Sequence, residues 1–156
     1  MSLVRAKAAL RTSEVFINGA FVKTAATFPV TSPLTAAVHA EAPQGTPAHV
    51  DAAVAAAAAA FAGWSRLAPA ARAAHLLALA DELERRKPDV ASVEAFNTGK
   101  PLREAEGDVD DACAAFRYCA RQAQNFDARY PQPAEDLPDA QFRGSTRYEA
   151  VGVVAA

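Results

Sequence analysis

The chain has 156 residues, enough for one domain with a buried core, and 51% of them are hydrophobic while 22% are charged. This composition excludes an intrinsically disordered chain. The formal net charge of −2 at pH 7 argues against nucleic acid as a partner, because such a surface needs an excess of Lys and Arg. The alanine-rich run Ala52–Ala60 is too short to cross a membrane, so no membrane partner is expected.

Residues 1–14 are predicted to form an N-terminal arm. Arg5, Lys7 and Arg11 precede the first acidic residue, Glu14, which makes this start faintly similar to an organellar transit segment. The stretch is short and has no clear apolar centre. We therefore expect a cytoplasmic location, with a mitochondrial or plastid location as the alternative.

Two β-hairpins are predicted next in the chain. Asn18 and Gly19 separate two short apolar runs, and both residue types tolerate the positive φ of a type I′ turn. A second pair of strands is expected at Phe28–Thr31 and Val38–Ala42. Pro33 belongs in the connection between them, because proline has no N–H to donate to a ladder.

Four helices are predicted between residues 46 and 126, where the apolar pattern changes to a period of 3.6. Each begins near a proline, whose missing N–H costs nothing in a first helical turn. These prolines are Pro47, Pro69, Pro88 and Pro101. Thr46 can cap the first helix, which Gly63 is expected to end after about Phe61, and Gly99 is expected to end the third.

The second and fourth helices carry apolar stripes. In the second helix, Leu77 and Leu79 are expected to widen the buried stripe. The stripe predicted for the fourth helix consists of Val109, Ala112, Cys113, Phe116, Ala120 and Ala123. Cys113 and Cys119 lie in this helix without CxxC spacing, so both are predicted to be buried free thiols of a reducing compartment.

The last third of the chain is predicted to be mostly extended. Residues 130–140 contain three prolines and should form a connection, and residues 142–148 alternate weakly, as an edge strand does. Ala150–Ala156 is predicted to be a buried strand, since its residues are small or β-branched. Without a following turn its backbone groups would lack partners, so we expect a segment of a longer protein or a truncated product that docks elsewhere.

Common catalytic motifs such as GxGxxG, GxSxG and HExxH are absent from the sequence, and the three histidines are scattered. Two other features could form a site. The turn Asn97–Pro101 directs carbonyls outward and could hold a cation, although Gly99 and Pro101 alone explain the corner. Glu104, Asp108 and Asp111 share one helix face, which is either a solvated helix start or a mouth that attracts a cationic substrate.

Several segments in order resemble the aldehyde dehydrogenase family: FINGAFV, FPVTSPLT, a VDAAV helix ending in FxGW, NTGKP and EAVGVV. The resemblance covers Val15 to Ala156. It implies an α/β fold that is the N-terminal part of an aldehyde dehydrogenase, with β-hairpins, four helices and the start of a Rossmann-like sheet. The implied divisions are the cofactor-binding domain over residues 15–128, part of an oligomerisation arm over 129–148 and the first, truncated Rossmann strand over 149–156.

Within this family, GKPLREAEGDVDDACAAFRY is most similar to the betaine-aldehyde and aminoaldehyde branch. The similarity implies that Asp108 and Asp111 lie at the mouth of a substrate channel. It also implies a structural Na⁺ or K⁺ held partly by the carbonyls of Val30 and Asn97. The complete enzyme would use NAD or NADP, act on an aldehyde and form a homo-oligomer, with its nucleophile, general base and cofactor-binding residues beyond Ala156.

Three functional hypotheses remain open at this point. The chain is a segment of an oxidising enzyme, and is by itself inactive. Alternatively it is a truncated, non-catalytic module that oligomerises with full-length subunits or docks to a larger complex. A free-standing helical binding domain is the third, which the terminal apolar segment disfavours.

Overall fold

The structure, a computed structural model, describes residues 14–126, 130, 134–136 and 142–155. These ranges contain short strands and four helices, the mixed α/β content that the sequence predicts. The helices are α1 (Pro47–Trp64), α2 (Pro69–Arg85), α3 (Lys87–Thr98) and α4 (Leu102–Gln124). The predicted basic arm lies outside the described residues, apart from Glu14.

The first hairpin is confirmed. Strands β1 (Glu14–Ile17) and β2 (Ala20–Lys23) pair antiparallel around Asn18 and Gly19, whose φ angles are 51° and 78°. Positive φ at both central residues is the requirement that Asn-Gly meets. Phe16 and Phe21 face each other across the ladder, with ring centroids 5.0 Å apart in an edge-to-face arrangement.

The second hairpin is also confirmed, with Pro33 in its connection. Strands β3 (Thr27–Thr31) and β4 (Val38–Pro43) pair antiparallel, and their register shifts between Val30 and Thr31. The buried Ser32 organises the connection, because its Oγ accepts a hydrogen bond from the backbone N–H of Leu34 at 3.3 Å.

Helix α1 begins where predicted, with Thr46 as its N-cap residue, but it ends later than predicted. The N–H of Thr46 donates to Nδ1 of His49 at 3.0 Å, so a histidine from the first turn takes part in the cap. The helix continues through Gly63 to Trp64, so the expectation that this glycine ends it was wrong. A glycine in a last turn weakens a helix without breaking it, because its N–H and C=O remain available.

The core lies where α4 packs against α2 and α3. Its best-buried cluster consists of Ala91, Ala105, Val109 and Cys113. The predicted stripe of α4 is confirmed, since every one of its residues is buried or half-buried. Small residues dominate this cluster, so the helices approach closely and bury little area per side chain.

Leu77 and Leu79 do not widen the stripe of α2. They are 37% and 43% exposed, whereas Ala73 and Ala80 are fully buried. Because two alanines make the close contact, the buried face of α2 is narrow, and the neighbouring leucines lie at its margin. This prediction of a wider stripe was therefore wrong.

The end of the described chain differs from the prediction. Strand β5 (Ala134–Asp136) pairs antiparallel with β6 (Arg143–Ser145), so the edge strand exists but is shorter than expected, and its partner was not predicted. Residues 150–155 form no strand, and Val151 is 92% exposed, which contradicts the buried strand expected there. A buried strand needs ladder partners, and no described strand pairs with this segment. The division into cofactor domain and oligomerisation arm remains a prediction.

Candidate functional site

The acidic face predicted from the spacing forms on the first half of α4. Glu104, Asp108 and Asp111 are all exposed. An adjacent face of the same helix buries Ala105 and Val109 against α3. Because the apolar stripe fixes the rotation of α4, the three carboxylates must point away from the core.

The charges on this face are not equivalent, which the sequence did not indicate. Nζ of Lys100 donates to Oδ2 of Asp108 and lies 3.1 Å from Oε1 of Glu94. Asp111 has no ion-pair partner among the described residues. One candidate carboxylate is therefore partly neutralised within the chain, and the other is not.

Asp110, which lies between Asp108 and Asp111 in the sequence, forms a separate ion pair. Nζ of Lys87 lies 2.6 Å from Oδ2 of Asp110, and this pair ties the start of α3 to α4. Hydrogen bonding to Asp110 raises the pKa of Lys87, and hydrogen bonding to Asp108 and then Glu94 raises the pKa of Lys100. Both ammonium groups are thus fully charged at neutral pH.

The second predicted feature, the turn after α3, lies against the connection of the second hairpin. Gly99 has φ 77°, and a Cβ placed on it would lie 2.9 Å from Cγ of Pro33. The carbonyl of Asn97 cannot accept an intrahelical hydrogen bond from residue 101, because that residue is proline. Val30 lies at the register shift of β3, so both proposed carbonyl ligands occur where regular pairing is interrupted.

His39 is a feature of this junction that the sequence did not single out. Its ring packs edge-to-face on Phe96, with centroids 4.6 Å apart. Both ring nitrogens are buried and have no hydrogen-bond partner among the described residues. The residues next to His39 in the sequence do not indicate this contact. The contact joins β4 to α3, which lie more than fifty residues apart in the chain.

The thiols do not contribute to the acidic face. Cys113 is 3% exposed and its thiol donates to the carbonyl of Ala80 at 3.5 Å, as expected for a buried free cysteine. Cys119 is exposed, so the prediction that it is buried was wrong. It lies six residues after Cys113, which rotates it off the stripe that Ala120 continues.

A cleft of about 320 Å³ lies elsewhere, between the end of α1 and residues 148–150. Trp64, Phe126 and Tyr148 contribute its apolar lining, and Arg72 and Glu149 contribute opposite charges. Neither candidate site residue on α4 lines this cleft. The aromatic residues were visible in the sequence, but their convergence depends on long-range packing.

Across the described parts of the chain, no group of three or more His, Cys, Asp or Glu side chains could hold a metal ion. Within the same residues, no helix is both long and apolar enough to cross a bilayer. The two candidate features predicted from the sequence are the carboxylates of α4 and the carbonyls of the Asn97–Pro101 turn.

Residues 21–156 match the family described as "Aldehyde dehydrogenase family". The chain belongs to the aldehyde dehydrogenase family. This confirms the resemblance carried by the motifs of the sequence, over most of the chain.

Within this family, the chain is similar to curated relatives that are named aminoaldehyde dehydrogenases. The chain is 39% identical over 131 residues to "Aminoaldehyde dehydrogenase 2" of Zea mays, a match that covers 81% of this chain and 26% of the relative. It is 37% identical over 150 residues to "Aminoaldehyde dehydrogenase 2, peroxisomal" of Pisum sativum, covering 92% of this chain and 30% of the relative. The chain thus spans less than a third of the length of these relatives.

Solved structures agree with the fold. PnpE in complex with nicotinamide adenine dinucleotide is 34% identical, with a TM-score of 0.73 over 82% of this chain and 26% of that one. Betaine aldehyde dehydrogenase from Staphylococcus aureus in complex with NAD⁺ is 27% identical, with a TM-score of 0.75 over 86% of this chain and 26% of that one. The chain therefore has the fold of the N-terminal part of an aldehyde dehydrogenase, a family whose solved members include NAD complexes.

Proposed function

We propose that this chain is the N-terminal segment of an NAD(P)-dependent aldehyde dehydrogenase that oxidises a cationic aldehyde to its acid. Betaine aldehyde and ω-aminoaldehydes are the substrate class. The observation that carries this proposal is the exposed pair Asp108 and Asp111 on one face of α4. Relatives named aminoaldehyde and betaine aldehyde dehydrogenases support the same class.

The segment would recognise substrate rather than perform the chemistry. Neither cysteine suits a nucleophile, because Cys113 is enclosed in the helical core and Cys119 lies off the acidic face, on the far half of α4. The described residues also form no glycine-rich strand-to-helix turn that could cradle a dinucleotide. NAD or NADP, which accepts a hydride when bound, is therefore assigned to the rest of the full-length subunit.

A monovalent cation, Na⁺ or K⁺, is proposed at the junction of β3 and the turn after α3. The carbonyls of Val30 and Asn97 would be its ligands in this chain. Two observations support these carbonyls as cation ligands. Residue 101 is proline and cannot donate a hydrogen bond to the Asn97 carbonyl, and the register of the β3–β4 ladder shifts next to Val30. Backbone oxygens are the ligands that hard cations prefer.

The location of the protein also remains a proposal. We keep the cytoplasm as the expected compartment, with an organelle as the alternative. Relatives named peroxisomal and chloroplastic support testing that alternative. Imaging of a fusion with a C-terminal fluorescent protein, with and without residues 1–13, distinguishes the two.

The substrate proposal is tested by replacing Asp108 and Asp111 with Asn in a full-length subunit that contains this chain. KM for betaine aldehyde should rise several-fold, because two carboxylates no longer attract the cation, while KM for a neutral aliphatic aldehyde should change little. Added salt should reduce the difference between wild type and variant. Equal losses on both substrates would show that the pair is structural.

A matched control removes the same two charges elsewhere. Asp51 of α1 and Asp89 of α3 are exposed, so Asp51→Asn with Asp89→Asn changes the net charge equally. This variant should leave the ratio of the two KM values unchanged. A shift equal to that of the α4 variant would assign the effect to overall charge.

The second candidate function is a non-catalytic module that associates with full-length subunits. The exposure of Val151 and Val154, 92% and 73%, favours it, because such apolar residues are suited to contact with a partner. Co-expression of the tagged chain with an untagged full-length subunit, followed by affinity purification, tests this function. Recovery of the subunit only when the apolar segment is intact would support it.

A further inference from the structure

The cleft at the end of α1 is lined by aromatic rings from two parts of the chain. Trp64 ends α1, and its ring centroid lies 5.5 Å from that of His75. Phe126 and Tyr148 also line the cleft, and Tyr130 supports them, with its centroid 5.0 Å from Phe126 and 5.7 Å from Tyr148. The three lining rings are between 37% and 51% exposed, so apolar ring surface remains open to a ligand.

Arg72 adds a positive charge to the lining of this cleft. The residue is half-buried, and its Nη1 donates to the carbonyl of Leu67. It forms no ion pair with any carboxylate of the described residues, and its remaining N–H donors have no acceptor among them. A guanidinium with unused donors is suited to a carboxylate, which it binds through two parallel hydrogen bonds.

Glu149 is the acidic residue among the described residues of the lining, and Arg147 offsets its charge. Nε of Arg147 lies 3.2 Å from Oε1 of Glu149, and both side chains are mostly exposed. This pair has no net charge, whereas Arg72 has no counter-charge in the described part of the chain. The cleft therefore presents aromatic rings together with one uncompensated positive charge.

We propose that this cleft is a binding site for a small aromatic carboxylate, whose ring would lie against Trp64 and Tyr148 and whose carboxylate would bind Arg72. The volume of about 320 Å³ lies at the lower end of the range for small-molecule sites, which combine apolar walls with a few polar groups. The rings favour an aromatic body, and the guanidinium fixes its orientation. The site is separate from the carboxylates of α4, so it does not depend on the function proposed for them.

Trp64 is the single tryptophan of the chain, so its fluorescence reports on this cleft. The probes are benzoate, benzamide, which keeps the ring without the charge, and acetate, which keeps the charge without the ring. Benzoate should change the fluorescence of the dilute 156-residue chain saturably, with a Kd on the order of 1 mM for so small a molecule. Benzamide should bind about ten-fold more weakly, because it cannot form the charged hydrogen bonds, and acetate should give no saturable change.

Three variants separate the charge from the rings. Arg72→Gln should weaken benzoate binding about ten-fold. Arg66→Gln removes an equal charge from an exposed residue that is not among the described lining residues, and should leave the Kd unchanged. Tyr148→Ala should weaken benzoate and benzamide alike, because it removes ring surface. Circular dichroism and thermal melting show which variants fold, and Tyr148 lies outside the helices, so its variant decides the question even if Arg72→Gln unfolds.

Saturable benzoate binding that requires both Arg72 and Tyr148 would support the site. Absence of a saturable change, equal affinity for benzamide, or unchanged binding in either folded variant would overturn it. A full-length subunit that contains this chain gives the last check, by saturation-transfer NMR with benzoate, and the signal should fall in Arg72→Gln. If the subunit shows no signal that depends on Arg72, its remaining residues fill the cleft, and the proposal is wrong.

Discussion

Gly99 lies directly against Pro33, and this contact joins the end of α3 to the second hairpin. A Cβ on Gly99 would be 2.9 Å from Cγ of Pro33, and the backbone there has φ 77°. Gly99→Ala should therefore destabilise the chain by about 1–2 kcal/mol from the left-handed backbone alone, and by more if the proline ring cannot move. Chemical denaturation measures the free energy of unfolding.

Two other glycines provide matched controls for Gly99→Ala. Gly19 has φ 78° but open space around it, so Gly19→Ala isolates the backbone cost. Gly107 lies within α4 with no positive φ and nothing nearby, so Gly107→Ala should stabilise by roughly 0.5–1 kcal/mol through helix propensity. If Gly99→Ala cost no more than Gly19→Ala, the contact with Pro33 would be unimportant.

A second prediction concerns the core beneath the acidic face. Val109 is 5% exposed between α3 and α4, so Val109→Ala should destabilise by about 2 kcal/mol through lost burial and the cavity left behind. Val54→Ala on α1 is the control, because Val54 is 50% exposed. It should be near neutral or slightly stabilising, since alanine favours a helix more than valine does. Similar losses for the two variants would show that α4 is not packed as described.

The local features of the fold were predictable because their chemistry is local. Asn18 and Gly19 specify their turn through backbone preferences, and the stripe through Val109 follows from a period of 3.6 residues. The buried rotation of α4 then fixes the exposed position of Asp111. No distant contact was needed for any of these predictions.

The predictions that failed depended on contacts that a local pattern does not contain. The burial of Leu79 was overestimated because Ala73 and Ala80 make the close approach instead. Strand β5 depends on pairing with β6, which follows a connection that contains Pro138. The pairing of Lys100 with Asp108 depends on how one turn directs a long side chain, so the sequence indicated an acidic face but not its unequal compensation.

The two thiols should differ in reactivity. Cys119 is exposed, whereas Cys113 is 3% exposed within the core, so a thiol reagent should modify Cys119 much faster in the folded chain. Cys113→Ser should retain the fast phase, and Cys119→Ser should remove it. Both thiols should react quickly in denaturant. Equal rates in the folded chain would contradict the burial of Cys113.

The low pKa of Glu82 predicts how the stability of the folded chain changes at acidic pH. Hydrogen bonding to Arg85 lowers its pKa from 4.5 to about 2, with Arg86 adding to the effect. A lowered pKa in the folded state means that ionised Glu82 contributes stability above its ordinary pKa, and that this contribution is lost as pH falls through about 2. The Tm difference between wild type and Glu82→Gln should therefore be constant near neutral pH and disappear under strong acid. An NMR titration midpoint of Glu82 near 4.5 would contradict this pairing.

The last prediction concerns association of the isolated 156-residue chain. Val151 and Val154 are 92% and 73% exposed, and strand β2 is exposed along its whole length. Unpaired strand edges and exposed apolar side chains favour association, so the isolated chain should form oligomers whose size grows with concentration in sedimentation velocity. Val151→Asp with Val154→Asp should reduce this association, because charge opposes contact between apolar segments. The control Ala58→Asp with Ala62→Asp places equal charge on the exposed surface of α1, and should reduce association less. A monodisperse monomer at high concentration would show that these apolar residues need no partner, and would remove the physical support for docking as a module.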